Sequence, residues 1–208
     1  MPGLFITIEG IECVGKSTNA KFISDYLEKK KIKSHITREP GGTKVAEKIR
    51  NILLYEKQEV ISPMGELMLL FAARDSHINE IIKPKLSNGF WVICDRFTDA
   101  SFAYQGHGRG LGFDVVNSFK ELVQKDFEPD LTLLLDAPVH VIKSRRKLNP
   151  NDRFESEKDI FFKKIRTGYL EIAENNKERI KVIDASRSIK LVQTDIKRHL
   201  DSLIKSCK

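Results

Sequence analysis

LFITIEGIECVGKST, residues 4–18, sets the reading of the whole chain. It opens as a short apolar and β-branched run, as in a buried strand. It closes into STNAKFISDYLEKK (17–30), which has the spacing of a helix. Between the two, Gly10-Ile11-Glu12-Cys13-Val14-Gly15-Lys16-Ser17 match GxxxxGK[ST], with the strand before and the helix after that the pattern requires. Glycines let such a loop turn its N–H groups onto phosphate oxygens, and the helix N-terminus adds its positive dipole. In that arrangement Lys16 reaches the β- and γ-phosphates of ATP or GTP, and Ser17, followed by Thr18, holds Mg²⁺. A chance match in a glycine-bearing loop is the competing reading, and the placement argues against it.

The alternation continues outward. SHIT (34–37), FWVICD (90–95), LTLLLD (131–136) and IKVIDA (180–185) read as further strands. Helical spacing falls around 43–54, 62–86 and 188–204, the second starting with a Ser cap and a Pro in its first turn. Continuous apolar strands separated by helices imply βαβ crossovers, so the fold class is α/β. A doubly wound, five-stranded parallel sheet with helices on both faces is expected. No repeat or long linker divides residues 1–208, which read as a single domain.

Composition excludes several classes. The chain has 208 residues, 40% hydrophobic and 31% charged, an ordinary soluble balance. No apolar stretch approaches the roughly 18 residues of a membrane span, and MPGLFITIEG lacks the pattern of a signal peptide. Cys13, Cys94 and Cys207 are too few and too far apart for a disulfide framework, which points to the cytoplasm. The net charge of +7 suits an anionic partner without deciding which one. The five histidines show no metal-ligand spacing.

Four other stretches carry candidate chemistry. Asp95 and Arg96 end the FWVICD strand, the edge where open α/β sheets bind ligands. Asp95 can organise a Mg²⁺ shell and Arg96 can neutralise a phosphate, against the alternative of a surface ion pair. Phe71 and Arg74 share a helix face and suit a nucleobase, unless Phe71 is simply core. In ASFAYQGHGRGLGFD (100–114) the glycines do not sit where a dinucleotide fingerprint needs them, so the stretch reads as a mobile loop. Ser101, Tyr104 and Gln105 lie just before those glycines and can face a ligand. Finally, Arg145, Arg146, Lys147 and Arg153 lie in a polar segment broken by Asn-Pro-Asn-Asp. That segment is either a solvated loop or a lid of about 145–156 that closes over a triphosphate.

Taken together, EGIECVGKST, TREPGGT (37–43), FAAR, CDRF, SFAYQG, PDLTLLLDAP and DRFE resemble the thymidylate kinases, a family of P-loop nucleoside monophosphate kinases. The motifs fall in the family's order and span residues 4–185. The resemblance implies phosphorylation of dTMP to dTDP with ATP and Mg²⁺, on the way to dTTP. It implies a homodimer and no nucleic-acid partner. Small Cys13 in the loop implies the bacterial type, with Arg146 or Arg153 as the lid arginine. Glu12 would face the sugar 3′-hydroxyl, Arg96 the acceptor phosphate and Arg74 the thymine O4. Phe71 would stack on the base, and Tyr104 would crowd the 2′ position. Ser101 or Gln105 would line the base pocket beside Glu39, with Glu39–Pro40 a cis bond. Two departures stand out: Leu70 occupies the place where many members carry an aromatic, and Ala100 replaces a serine.

The acceptor oxygen of a phosphate monoester is already anionic near neutral pH, its second pKa being about 6, so no dedicated base is needed. Kinases of other small acceptors, such as uridylate or deoxynucleosides, are the nearest rivals. A P-loop switch or nucleic-acid-dependent ATPase is the rival from another class.

Overall fold

The computed structural model describes residues 3–56, 58–145 and 157–206. One sheet organises them, with strands β1 (Phe5–Glu9), β2 (Ser34–Arg38), β3 (Trp91–Asp95), β4 (Leu131–Asp136) and β5 (Ile180–Asp184). Their order is β2-β3-β1-β4-β5, all neighbours parallel. The apolar runs are explained by position: β1 is buried along its whole length, as are β3 and β4 up to their final aspartates.

The helices are α1 (Lys16–Lys29), α2 (Lys44–Tyr55), α3 (Pro63–His77), α4 (Lys83–Ser87), α5 (Thr98–Ser101), α6 (Phe113–Val123), α7 (Val139–Arg145), α8 (Asp159–Asn175) and α9 (Ile189–Ser206). Two starts follow the sequence signals closely. The Thr43 hydroxyl accepts from Ala46 N–H, and the Ser62 hydroxyl from Gly65 N–H with Pro63 at the first turn. The 62–86 helix is not regular throughout: a π-helical turn, Ile78–Ile82, sits between α3 and α4. The wider turn falls just before Pro84, which has no N–H to give an α-helical ladder.

The largest departure from expectation is 100–114. Its first half is not a loop: α5 runs into a second π-helical stretch, Phe102–Gly108, which packs closely on α8. Gly108 and Gly168 make that approach possible. A Cβ on Gly108 would come 3.0 Å from the Phe161 ring, and one on Gly168 2.8 Å from His107 Cβ.

β1, β3 and β4 end on one edge of the sheet, where a polar layer replaces the apolar core. Away from that edge, Asp99 takes a forked ion pair at 2.7 and 2.9 Å from Arg179, which lies just before β5 and also donates to Thr132 near the start of β4. This ties α5 to the β4–β5 side of the sheet. Removing only the cation strands a buried carboxylate, so Arg179→Met is expected to cost about 3–5 kcal/mol. Adding Asp99→Leu is expected to recover a large part of that loss, as urea unfolding of the single and double variants will show.

Candidate active site

The strand–loop–helix at the N-terminus takes its shape from backbone that most residues avoid. Gly10 has φ +130°, and a Cβ there would lie 2.3 Å from the Leu135 carbonyl oxygen of β4. Gly15, at φ +93°, caps α1, while Cys13 adopts φ +59° and stays exposed. Ile11 and Val14 anchor the loop in the core. Lys16 folds back beneath it and donates to the Ile11 and Gly10 carbonyls at 2.8 and 3.1 Å. Burial, helped by Arg96 and opposed by Asp95, Glu12 and Glu9, lowers the Lys16 pKa to about 8.

Arg96 follows β3 in a left-handed conformation, φ +70°, which turns its side chain back across the sheet edge. It donates to Gly10 O at 3.0 Å, Glu12 Oε1 at 3.0 Å and the Tyr169 hydroxyl at 3.3 Å, and lies over the Tyr104 ring. Tyr104 in turn donates to Glu12 Oε1 at 2.7 Å. Burial works to raise the Glu12 pKa, but Arg96 and then Lys16 outweigh it and hold the carboxyl below its ordinary value. Beside them the Ser17 hydroxyl donates to Asp95 Oδ2 at 3.1 Å. This hydroxyl and carboxylate are hard oxygen donors of the kind that suits Mg²⁺.

The second wall comes from the TREPGGT turn and α3. Glu39–Pro40 is a cis peptide. Glu39 is buried and accepts from Arg74 Nε at 2.8 Å and His77 Nδ1 at 3.0 Å, while the far nitrogen of His77 meets the Thr37 hydroxyl. Arg74 is 2% exposed and also donates to Phe97 O and Ser101 Oγ. These groups enclose a cavity of about 390 Å³. The P-loop residues Glu12, Cys13, Gly15, Lys16, Ser17 and Thr18 border it, as do Asp95, Arg96, Arg74, Glu39, Ser101, Tyr104 and Gln105. Those candidates from the sequence are therefore brought together, with Gly10, Ile11 and Val14 shaping the loop behind them.

Phe71 is the exception and corrects the expectation of a stacking ring. It is 1% exposed and packs with Leu67, Val116 and Phe119, while its neighbour Leu70 lines the cavity. One step along a helix turns a side chain by about 100°, enough to exchange cavity for core. Phe71 backs Arg74 instead, whose guanidinium lies 4.5 Å over its ring. Arg146 and Arg153 lie outside the described residues. Arg145, at the end of α7, donates to the Ala185 and Ser186 carbonyls.

Several residues of the site were not singled out by sequence. Arg38 and Arg50 both line the cavity, Arg50 held by the Pro40 carbonyl at 2.9 Å. Their signal was faint, two arginines among many charges on a short strand and an amphipathic helix. Glu9 was hidden at the end of an apolar strand. It is fully buried and accepts from Phe97 N–H and the Tyr169 hydroxyl, both at 2.7 Å. Burial first, then Asp99, raise its pKa to about 8 against the pull of Arg96.

The geometry defines a P-loop phosphotransferase site: a phosphate loop and a hydroxyl–carboxylate pair on one side, an arginine-rich cavity wall on the other. The comparisons with known proteins are more specific. The family model Thymidylate kinase matches residues 8–196. A thymidylate kinase of Methylococcus capsulatus is 50% identical over 204 residues, 98% of this chain and 97% of that protein. One of Chromohalobacter salexigens is 49% identical over 208 residues, covering 99% and 98%. The crystal structure of thymidylate kinase from Ehrlichia chaffeensis superposes with a TM-score of 0.77 at 32% identity, over 97% of this chain and 99% of that one. The chain belongs to the thymidylate kinase family.

The buried Glu9 gives a pH signature. Its folded pKa lies above the ordinary carboxyl value of 4.5, so the folded state holds a proton that the unfolded chain releases. This stabilising contribution is complete below about pH 4.5 and is lost as pH rises through about 8. Glu9→Gln is therefore expected to gain stability over the wild type between pH 5 and 8, with little further change above. Denaturant midpoints of both proteins across that range provide the check.

Proposed function

We propose that the chain transfers the γ-phosphoryl group of ATP to dTMP, giving dTDP for deoxynucleotide synthesis. One observation carries the choice of acceptor. Three buried polar atoms on cavity-lining residues have no hydrogen-bond partner among the described residues: Glu12 Oε2, Arg74 Nη1 and Gln105 Oε1. They are an acceptor beside the P-loop and a donor and an acceptor on the opposite wall. A nucleotide with a sugar 3′-hydroxyl, a carbonyl at O4 and an N–H at N3 supplies the complement of all three. A cytosine edge, with an amine at position 4 and a bare N3, presents the reverse. Buried polar atoms are normally paired, so these three favour a ligand that pairs them.

The reaction follows from charge. Lys16 and Arg96 face Arg38, Arg50 and Arg74 across the same cavity, against the carboxylates Glu12, Glu39 and Asp95. This is a surplus of cations suited to bringing two polyanions together. Lys16 serves the donor phosphates, and Arg96, fixed by Glu12 and Tyr169, serves the acceptor phosphate. Mg²⁺ held near Ser17 and Asp95 would neutralise charge on the ATP phosphates. The acceptor oxygen needs no base, its phosphate being largely dianionic at neutral pH with a second pKa of about 6. Tyr104, bound to Glu12, narrows the space at the sugar and favours a deoxyribose. The reading includes a lid arginine, Arg146 or Arg153, and a cytoplasmic enzyme. No described helix is long and apolar enough to cross a membrane.

The reading also includes a homodimer through α2 and α3. Val45, Ile52 and Tyr55 on α2 and Met68 on α3 are large apolar side chains left exposed. Ile52→Glu is expected to shift the sedimentation of a dimer to that of a monomer.

Release of ADP from ATP-Mg²⁺ should be strong with dTMP and weaker with dUMP. It should be near background with UMP, dCMP, AMP, GMP, thymidine or no acceptor. Turnover with dTMP equal to that of the no-acceptor control would overturn the reading in favour of another kinase or an ATPase. Arg96→Ala is expected to lower kcat by about 10²–10³, the usual scale for losing a preorganised charge at the transferring group.

A further inference from the structure

We infer that Glu66 and Arg109 are specificity-positioning residues, which fix the orientation of the Gln105 amide and so the choice between a thymine-like and a cytosine-like base edge. The inference rests on the proposed acceptor and extends it to residues that do not line the cavity.

Glu66 sits in the first half of α3, 1% exposed, where a carboxylate is costly unless paired. Its partner is Arg109, just beyond the π-helical stretch. Arg109 Nε donates to Glu66 Oε2 and Nη2 to Oε1, both at 3.1 Å, in a fork. Arg109 is itself held by Glu157 through Nη1 at 2.5 Å, and its guanidinium lies 4.6 Å over the Phe161 ring. Both Glu66 oxygens are thereby kept as acceptors.

Gln105 Nε2 lies 3.4 Å from Glu66 Oε2. An amide has two ends, one donating and one accepting, and nothing in its shape distinguishes them. Only the NH₂ end can face an oxygen that is already accepting from arginine. The carbonyl end, Oε1, must therefore be the one left over, and it is buried without a partner among the described residues. The Glu66–Arg109 pair thus turns a symmetric-looking side chain into a fixed acceptor. If the amide were inverted, Gln105 would offer a donor, which suits the bare N3 of cytosine. The second reading group, Arg74, is held separately by Glu39, Phe97 O and Ser101, so the two halves of the base edge are set by independent supports.

Glu66→Gln tests this, because the new amide can donate or accept and no longer dictates which end of Gln105 faces it. The measurement is kcat/KM for dTMP and for 5-methyl-dCMP, which keeps the shape of dTMP and reverses its hydrogen-bonding edge. The ratio of the two is expected to fall at least about tenfold in Glu66→Gln, with the KM for ATP unchanged. Arg109→Met, which leaves Glu66 buried without its cation and so able to take up a proton and donate, is expected to move the ratio the same way and serves where Glu66→Gln folds poorly. In a Gln105→Ala background, Glu66→Gln is expected to have no further effect on the ratio, since both act through one amide. An unchanged ratio in the folded variants, or a full additional fall in the Gln105→Ala background, would overturn the inference. Absence of dTMP turnover in the wild type would instead overturn the proposed function on which it stands.

Discussion

Arg96 is the residue on which the site depends. Its left-handed backbone is unfavourable for a side chain with a Cβ, and it is paid for by what the turn achieves. Without it, β3 would carry the guanidinium on past the sheet edge. With it, the guanidinium crosses back over β1 to reach Gly10 O and Glu12. Glu9 holds the same turn from below through the Phe97 N–H, and Tyr169 braces both Glu9 and Arg96. The phosphate loop and the arginine-rich wall beside it are therefore not separate modules. One strained residue and its partners join them.

The buried polar groups around the sheet and the cavity are expensive, and the fold offsets the cost by pairing. Glu39 with Arg74 and His77, Asp99 with Arg179, and Glu66 with Arg109 are each buried or nearly so. Such pairs contribute little net stability over apolar replacements, but losing one partner is severe. Their value here is positional. The first joins α3 to the turn after β2, the second α5 to the starts of β4 and β5, and the third α3 to the end of the π-helical stretch.

Much of this was legible in the sequence. The three central strands announced themselves because a parallel strand buried on both faces must be apolar, and the P-loop because phosphate binding needs glycine and lysine at fixed spacing. What stayed hidden depended on rotation and on partners far away in sequence. The distinction between Leu70 and Phe71 is one step of a helix, and periodicity over FAAR does not say which step faces a cavity until α6 is seen packing on the other side. The π-helical run of 102–108 was masked by its glycines, which read as breakers but serve close packing, Gly108 against α8 and Gly106 against Phe113 of α6. Glu9 looked like the end of an apolar strand because its function comes from Phe97 and Tyr169, both distant in the chain.

The unpaired atoms complete the argument about recognition. A pocket lined by apolar groups alone separates similar ligands weakly, because adding or removing one small group costs little. A pocket with buried donors and acceptors rejects a ligand that leaves them unpaired by far more. Arg74 Nη1, Gln105 Oε1 and Glu12 Oε2 are polar atoms withdrawn from water in advance, a cost the folded protein carries before any ligand arrives. That cost is returned only by a molecule whose own donors and acceptors match in kind and direction. In the proposed recognition of dTMP, specificity is held as much by the residues that prevent these side chains from turning as by the side chains themselves. This explains why so much buried charge surrounds a cavity of such modest size.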